Sequence, residues 1–350
     1  MKNSLLIIFI FLTVVACKNT AKTTVNTSTD TTIKTQDSIV YPSDVIAEMD
    51  KWNILLGNGE HVKELVNYQD KDFFYTLNDG TTDWVVFKTP NSGVTSPNSG
   101  NTRTELRQKK EWTAEAGGKL SGTLKVQHVS TSGDARVAAS YATVVGQIHG
   151  HVGHKNEPLK IFYKKYPGHT KGSVFWNYEI NPEGDNSGRW DFSTAVWGYD
   201  FSHVGSAPDS YPAEPKDGIA LGEEFSYEVK VENGIMHLTF ISEGHKTKTF
   251  TKSLIASDFT NQSDIPEQIK TLYATLGRDG VERENAYADE LQYFKLGAYN
   301  QVNGKNPEDN IVWSTGAETF NGDISKQYEN GSYTEVWFKE ISVEAHTIAF

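Results

Sequence analysis

The chain has 350 residues, 12% of them aromatic, and a net charge of −12; that length suits one large all-β domain or two smaller ones. Its single cysteine excludes a disulfide scaffold, so stability has to come from a buried core. The acidic balance argues against nucleic acid as a partner, but a local basic cleft can still receive an acidic ligand.

The first residues read as a leader. Met1-Lys2 precedes an apolar run from Leu5 to Val15, then Ala16 and Cys17. A short basic start, an apolar stretch and a small residue before the cut describe a secretory signal. The run is too short for a comfortable transmembrane helix. Val14-Val15-Ala16-Cys17 resembles a bacterial lipobox, which implies cleavage after residue 16 and lipid on the Cys17 thiol. Residues 1–16 are thus expected to be a lipoprotein signal peptide. The mature protein is expected at the cell envelope, periplasmic or on the cell surface, touching the membrane through its lipid only. Lys18 to Ser38 is Thr-, Asn- and Ser-rich with almost nothing apolar, so 17–38 reads as a flexible tether. The folded domain is expected over 39–350.

Ser43 or Asp44 is placed to cap a short helix through Val45 and Met49. From Trp52 on, the signals are mostly β. Trp52–Leu56, Phe73–Leu77, Trp84–Phe87, Thr102–Gln108, Leu120–His128, Ala138–His149, Leu159–Tyr166 and Ser173–Ile180 read as strands. Pro90 to Gly100 is a Pro, Ser, Asn and Gly loop. Phe225–Val231 and Ile235–Ile241 flank Glu232-Asn233-Gly234, a hairpin signal. Leu272–Leu276, Glu290–Gln301 and Tyr333–Ala345 complete the set. Many short strands between turns predict an all-β antiparallel sandwich or jelly roll. Asn181 to Gly218 departs from this pattern as a long, turn-rich, aromatic inserted loop.

Three strands carry chemistry on one face, because alternate side chains point to opposite sides. In Tyr293–Gln301, one face holds Tyr293, Lys295, Gly297, Tyr299 and Gln301, with the glycine where a ligand could come close. The other holds Phe294, Leu296, Ala298 and Asn300. In 103–107, Arg103, Glu105 and Arg107 share a face; in 147–149, Gln147 and His149 do. Each strand alone has an ordinary reading: a covered surface, a solvated salt-bridge ladder, a structural histidine. Together they bring arginines, an amide, an imidazole and a phenol to one side of one sheet. That set suits an anionic sugar, since Arg and Gln can hold a carboxylate while His and Tyr move protons.

RTELR at 103–107, QIH at 147–149 and YFKLGAYNQ at 293–301 resemble the three signature blocks of family 7 polysaccharide lyases, the alginate lyases. The resemblance spans nearly the whole exported chain, with Asn181–Gly218 and Asn261–Ala288 looking like insertions. It implies a β-jelly roll whose concave sheet forms the substrate groove. It also implies β-elimination that leaves a 4,5-unsaturated uronate at the new non-reducing end, with alginate or a related acidic polysaccharide as substrate and no cofactor or metal. By motif position, Arg103, Gln147, His149 and Tyr299 match the catalytic set. Glu105, Arg107, Lys295 and Gln301 match groove positions. Arg103 and Gln147, helped by His149, would neutralise the uronate carboxylate, and Tyr299 would protonate the leaving oxygen. His149 is the base for abstraction on the opposite face; on the same face Tyr299 could serve both roles, with Arg107 and Lys295 as the cations that tune it. An Ile at the position of Ile148 is associated with guluronate-containing substrate.

Other readings carry distinct signatures. His149, His151 and His154 form an H-x-H-x-x-H pattern that lacks a nearby acidic or thiol ligand for zinc. A glycoside hydrolase on the same architecture would need a close acidic pair on one strand face. A non-catalytic carbohydrate-binding jelly roll could use Trp190 and Trp197 but has no need for Gln147, His149 and Tyr299 together. A lyase for another polyuronate would share the site. The 181–218 insertion could be a satellite core, stack sugar rings, or wall off one groove end and make action exolytic. Lys160, Lys164 and Lys165 could extend a cationic groove, but solvating an edge strand is the simpler expectation. A monomer is expected.

Overall fold

Alternating apolar and polar residues commit most of this chain to strands that bury one face. The computed structural model describes residues 40–95, 99–151, 157–180, 190–255 and 290–346. The leader, the tether, His154, Leu272–Leu276 and the 261–288 insertion lie outside them. In chain order the strands are β1 (Trp52–Leu55), β2 (His61–Val62), β3 (Phe74–Asn78), β4 (Asp83–Pro90), β5 (Arg103–Gln108), β6 (Gly118–His128), β7 (Ala142–Gly150) and β8 (Leu159–Lys164). They continue with β9 (Lys171–Ile180), β10 (Trp190–Trp197), β11 (Ile219–Ala220), β12 (Glu224–Glu232), β13 (Ile235–Ile241), β14 (Lys248–Ser253), β15 (Gln292–Asn300) and β16 (Tyr333–Ala345).

They form two antiparallel sheets. One has nine strands in the order β10-β9-β8-β7-β15-β5-β1-β2, with β11 against β9. The other has seven, β14-β13-β12-β6-β16-β4-β3. This is the expected all-β sandwich. Between the sheets, Phe294, Leu296, Ile148 and Leu106 from the first pack with Phe87, Phe338 and Phe240 from the second. Phe87 meets Phe338 edge-on at 5.5 Å. Each such side chain contributes about 1.5–3 kcal/mol by leaving water. The Tyr227 hydroxyl crosses from β12 to donate to the Val145 carbonyl at 3.0 Å. The β12–β13 hairpin turns at Asn233 and Gly234, both with positive φ, as its sequence demands.

Three expectations need revision. The first helix is Pro42–Val45 with Tyr41 as its N-cap, and Asp44 accepts from the Tyr41 N–H at 2.7 Å, so neither Ser43 nor Asp44 caps it. The strand predicted from Ala138 starts only at Ala142, because Tyr141 has φ +61°. The inserted stretch is not one loop: Trp190–Trp197 is a strand that extends the nine-stranded sheet beyond β9. Its aromatics bear out a core role. Trp197 is buried in the main core, and Phe201 joins a second apolar cluster with Phe162 and Phe175.

Candidate active site

The site sits on the face of the nine-stranded sheet that turns away from the core, and strand pairing brings its residues together in rows. One row runs Arg107, Lys295, Gln147, Lys160 across β5, β15, β7 and β8. The next begins at Glu105, opposite Gly297. A third runs Arg103, Tyr299, Val144, Phe162 and Phe175. His149 pairs with Tyr293 at the other end. All three sequence blocks therefore do meet on adjacent strands.

Glu105 is the hub. It is 1% exposed. Its carboxylate takes Arg103 Nη1 at 3.3 Å, the Lys295 ammonium, and the Gln147 amide N–H. Burial opposes ionisation of Glu105, but Lys295, Arg103 and Gln147 outweigh it and hold the carboxyl below its usual range. Burial in turn pushes Lys295 down to about 8, against the pull of Glu105. Arg103, Lys295 and Glu105 together carry one positive charge, and the guanidinium of Arg103 is the group that suits an anionic ligand.

Arg103 does more than pair. Its guanidinium lies over the Tyr299 ring at 3.7 Å, and Nη2 donates to Ser99 Oγ at 2.8 Å. Ser99 Oγ is 3.4 Å from the Tyr299 hydroxyl. The Arg103 Nε is buried without a partner, a donor left for a ligand. His149 points its Nδ1 at the Gly150 carbonyl, 2.7 Å away. A carbonyl only accepts, so Nδ1 carries the proton and Nε2 keeps its lone pair. Burial pushes His149 down to about 4, against the pull of Glu157. It is thus a neutral base at ordinary pH.

Several roles shift. Arg107 is not beside Tyr299; it stacks on Tyr293 at 3.9 Å and pairs with Glu111. Tyr293 also stacks on His149 at 5.3 Å and 12°, so it orients the imidazole. The cations against Tyr299 are Arg103 and, farther off at 5.9 Å from the ring centre, the expected Lys295. Gln147 is fully buried, and its amide N–H donates to the Glu105 carboxylate. Gln301 is buried too; its amide donates to the Tyr299 carbonyl at 3.4 Å, which places it behind Tyr299. Gly297 has φ +142°, and a Cβ there would meet the Thr104 carbonyl at 2.5 Å and the Phe87 ring at 2.9 Å. That glycine serves the backbone and the core contact, not the approach of a sugar. Lys160 and Lys164 are 3% and 4% exposed on an interior strand, so they do not solvate an edge. Lys160 pairs with Glu157 and Glu179.

Sequence reasoning missed Ser99 and Glu157. Glu157 Oε1 is 3.5 Å from His149 Nε2, and its charge acts on Arg103 and Lys295 as well. Neither residue belongs to a patterned strand, so no periodicity marks it. The row beyond Tyr299 also held a surprise. Val144, Phe162 and Phe175 are covered by Val137, Ala138, Ala139 and Phe201, with Tyr299 and Trp313 packed against them. An apolar roof therefore closes the sheet face next to Tyr299. Among the described residues no three His, Cys, Asp or Glu side chains gather into a metal site. His151 instead pairs with Glu111 at 2.9 Å.

Comparison with known proteins gives the family and the fold. The family model described as alginate lyase matches residues 47–345. An alginate lyase of Klebsiella pneumoniae is 28% identical over 292 residues, covering 73% of this chain and 80% of that protein. The crystal structure of the exolytic PL7 alginate lyase AlyA5 from Zobellia galactanivorans matches with a TM-score of 0.80 at 71% identity, over 89% of this chain and 99% of that one. The structure of the alginate lyase from Klebsiella pneumoniae matches in fold, with a TM-score of 0.61 at 23% identity over 88% and 99% of the two chains. The chain belongs to the alginate lyases of polysaccharide lyase family 7.

Proposed function

We propose that the protein shortens alginate from a chain end by metal-independent β-elimination. The observation that carries this reading is the grouping of Arg103, His149 and Tyr299 around one buried ion cluster, with the apolar roof beside Tyr299. The uronate carboxylate binds against Arg103, whose charge stabilises the enolate-like anion that forms when C5 loses its proton. His149 Nε2 takes that proton where it lies opposite the leaving oxygen; on the same face Tyr299, entering as the phenolate, takes it. The C5–H electron pair becomes the C4=C5 double bond and the C4–O bond breaks. Where His149 is the base, the leaving oxygen takes the Tyr299 proton; where Tyr299 is the base, it returns the proton that it took from C5. Protein cations do the neutralising, so no metal is needed. The known exolytic action of the relative at 71% identity supports the same mode here, and the roof gives it a physical cause.

Early products test the mode. Monomers and dimers that absorb in the ultraviolet should dominate from the first minutes, with undiminished rate after chelation. A ladder of longer oligomers would overturn the exolytic reading, and loss of activity on chelation would overturn metal independence.

The pH profile follows from the buried groups. His149, pushed down to about 4, is in its base form above that pH. Lys295, pushed down to about 8, loses its charge above it. kcat/KM should rise through about pH 4 and fall through about pH 8. Lys295→Arg keeps its charge and should lift the alkaline limb; an unmoved limb would assign it to another group.

We further propose that the enzyme is an exported lipoprotein held at the cell envelope through Cys17, with 17–38 as its tether. The lipobox-like Val14-Val15-Ala16-Cys17 supports this. Cys17→Ser should release the enzyme from the membrane fraction; a variant that stays there would rule the anchor out.

A further inference from the structure

A small cleft outside the catalytic cluster opens between the turn joining β8 to β9 and the segment Tyr199–Pro215, with about 280 Å³ of empty space once the open solvent at its mouth is included. Lys164, Lys165, Lys171, His169, His203 and Tyr199 line it. Among the described residues none of the three lysines forms a salt bridge, in a chain with 45 acidic and 33 basic residues. Lys164 is 4% exposed, and its ammonium donates to the Ala138 carbonyl at 2.7 Å and lies 4.8 Å over the Tyr166 ring. Those are dipoles and a ring face, with no carboxylate to balance the charge. His203 Nε2 is buried with no partner. Two acids stand nearby and neither pairs with Lys164: Glu214 accepts from the Thr170 hydroxyl and the Thr170 and Lys171 N–H groups and its charge acts on Lys165, and Asp200 accepts from the Ser202 N–H and hydroxyl and its charge acts on His203.

A buried ammonium with no counter-ion is costly unless a ligand supplies one. We propose that this cavity binds a small oxyanion through Lys164 and His203, with Lys165 and Lys171 at its rim. Burial alone pushes Lys164 down to about 7, and a bound anion would restore its charge. The shared ligand chemistry is a carboxylate or sulfate-like group, and two sources fit: a released uronate monomer, which rests on the function proposed above, or an inorganic oxyanion. Phe201, on the cavity segment, packs on Phe162 at 5.6 Å and on Trp313 at 5.2 Å. The bound anion would therefore brace the roof beside Tyr299.

The test is thermal unfolding of the full chain in sodium sulfate and, separately, in sodium guluronate, each against sodium chloride of matched ionic strength. At least one oxyanion should raise the midpoint by about 3 °C or more beyond chloride. The arm that responds identifies the source. Lys164→Met should abolish the response. Lys165→Gln with Lys171→Gln, both at the partly exposed rim, should weaken it without disturbing the buried lysine. Arg103→Ala should keep the response, because that change disables the catalytic cluster alone. No gain over chloride in either arm, a gain that survives both lysine variants, or a gain lost in Arg103→Ala would each overturn the site.

Discussion

Tyr299→Phe should lower kcat by about 10²–10⁴-fold, the usual worth of a placed acid or base, while leaving the fold intact. The ring is the structural part of this residue. It carries the Arg103 guanidinium at 3.7 Å and packs against the apolar roof, and phenylalanine keeps both contacts. Among the described residues the hydroxyl has the Ser99 Oγ at 3.4 Å as its hydrogen-bond partner. Removing it therefore costs little stability but deletes the proton that the leaving oxygen needs. The check is the ultraviolet absorbance of the unsaturated product, read beside the thermal midpoint. Near-normal turnover in a folded variant would remove Tyr299 from the mechanism. A raised KM with kcat preserved would recast the hydroxyl as a binding group.

Much of this site could be read from sequence because a strand's side-chain period is two. RTELR, QIH and YFKLGAYNQ each put their polar residues on one face, and the sheet pairs those strands directly. Alternation says which face a residue takes; it does not say what lies across from it. Arg107 was expected beside Tyr299, yet pairing puts it opposite Lys295 and under the influence of Tyr293 and Glu111. Ser99 and Glu157 enter from loops, where no period exists. Lys160 and Lys164 resembled solvated lysines because alternation does not say which strand forms the edge. β9 pairs along the far side of β8, so β8 lies inside the sheet and its lysines are buried. The roof over Phe162 and Phe175 depends on Val137 and Phe201, far apart in the chain. Such contacts belong to tertiary packing and leave no local mark.

Glu105→Gln should be the most damaging isosteric change in the site. Glutamine preserves shape and can still meet Gln147, but it withdraws the carboxylate that ion-pairs with both Arg103 and Lys295. Breaking a buried ion cluster by removing one partner costs about 3–5 kcal/mol, because the remaining charges stay buried. For a domain of this size that is on the order of 10 °C in thermal midpoint. The sign with pH is fixed by the direction of the shift. The folded-state pKa of Glu105 lies below its ordinary value, so its stabilisation is present above the unfolded carboxylate range and disappears as pH falls through the folded value. The gap between wild type and variant should be full at pH 7 and narrow under acid. Activity should fall as well, since Lys295 loses the neighbour that holds up its pKa and Arg103 loses the partner that aims it at Tyr299. A gap that stays constant from pH 7 into acid would mean that Glu105 acts by shape alone. Equal stability at pH 7 would mean that the two cations never depended on it.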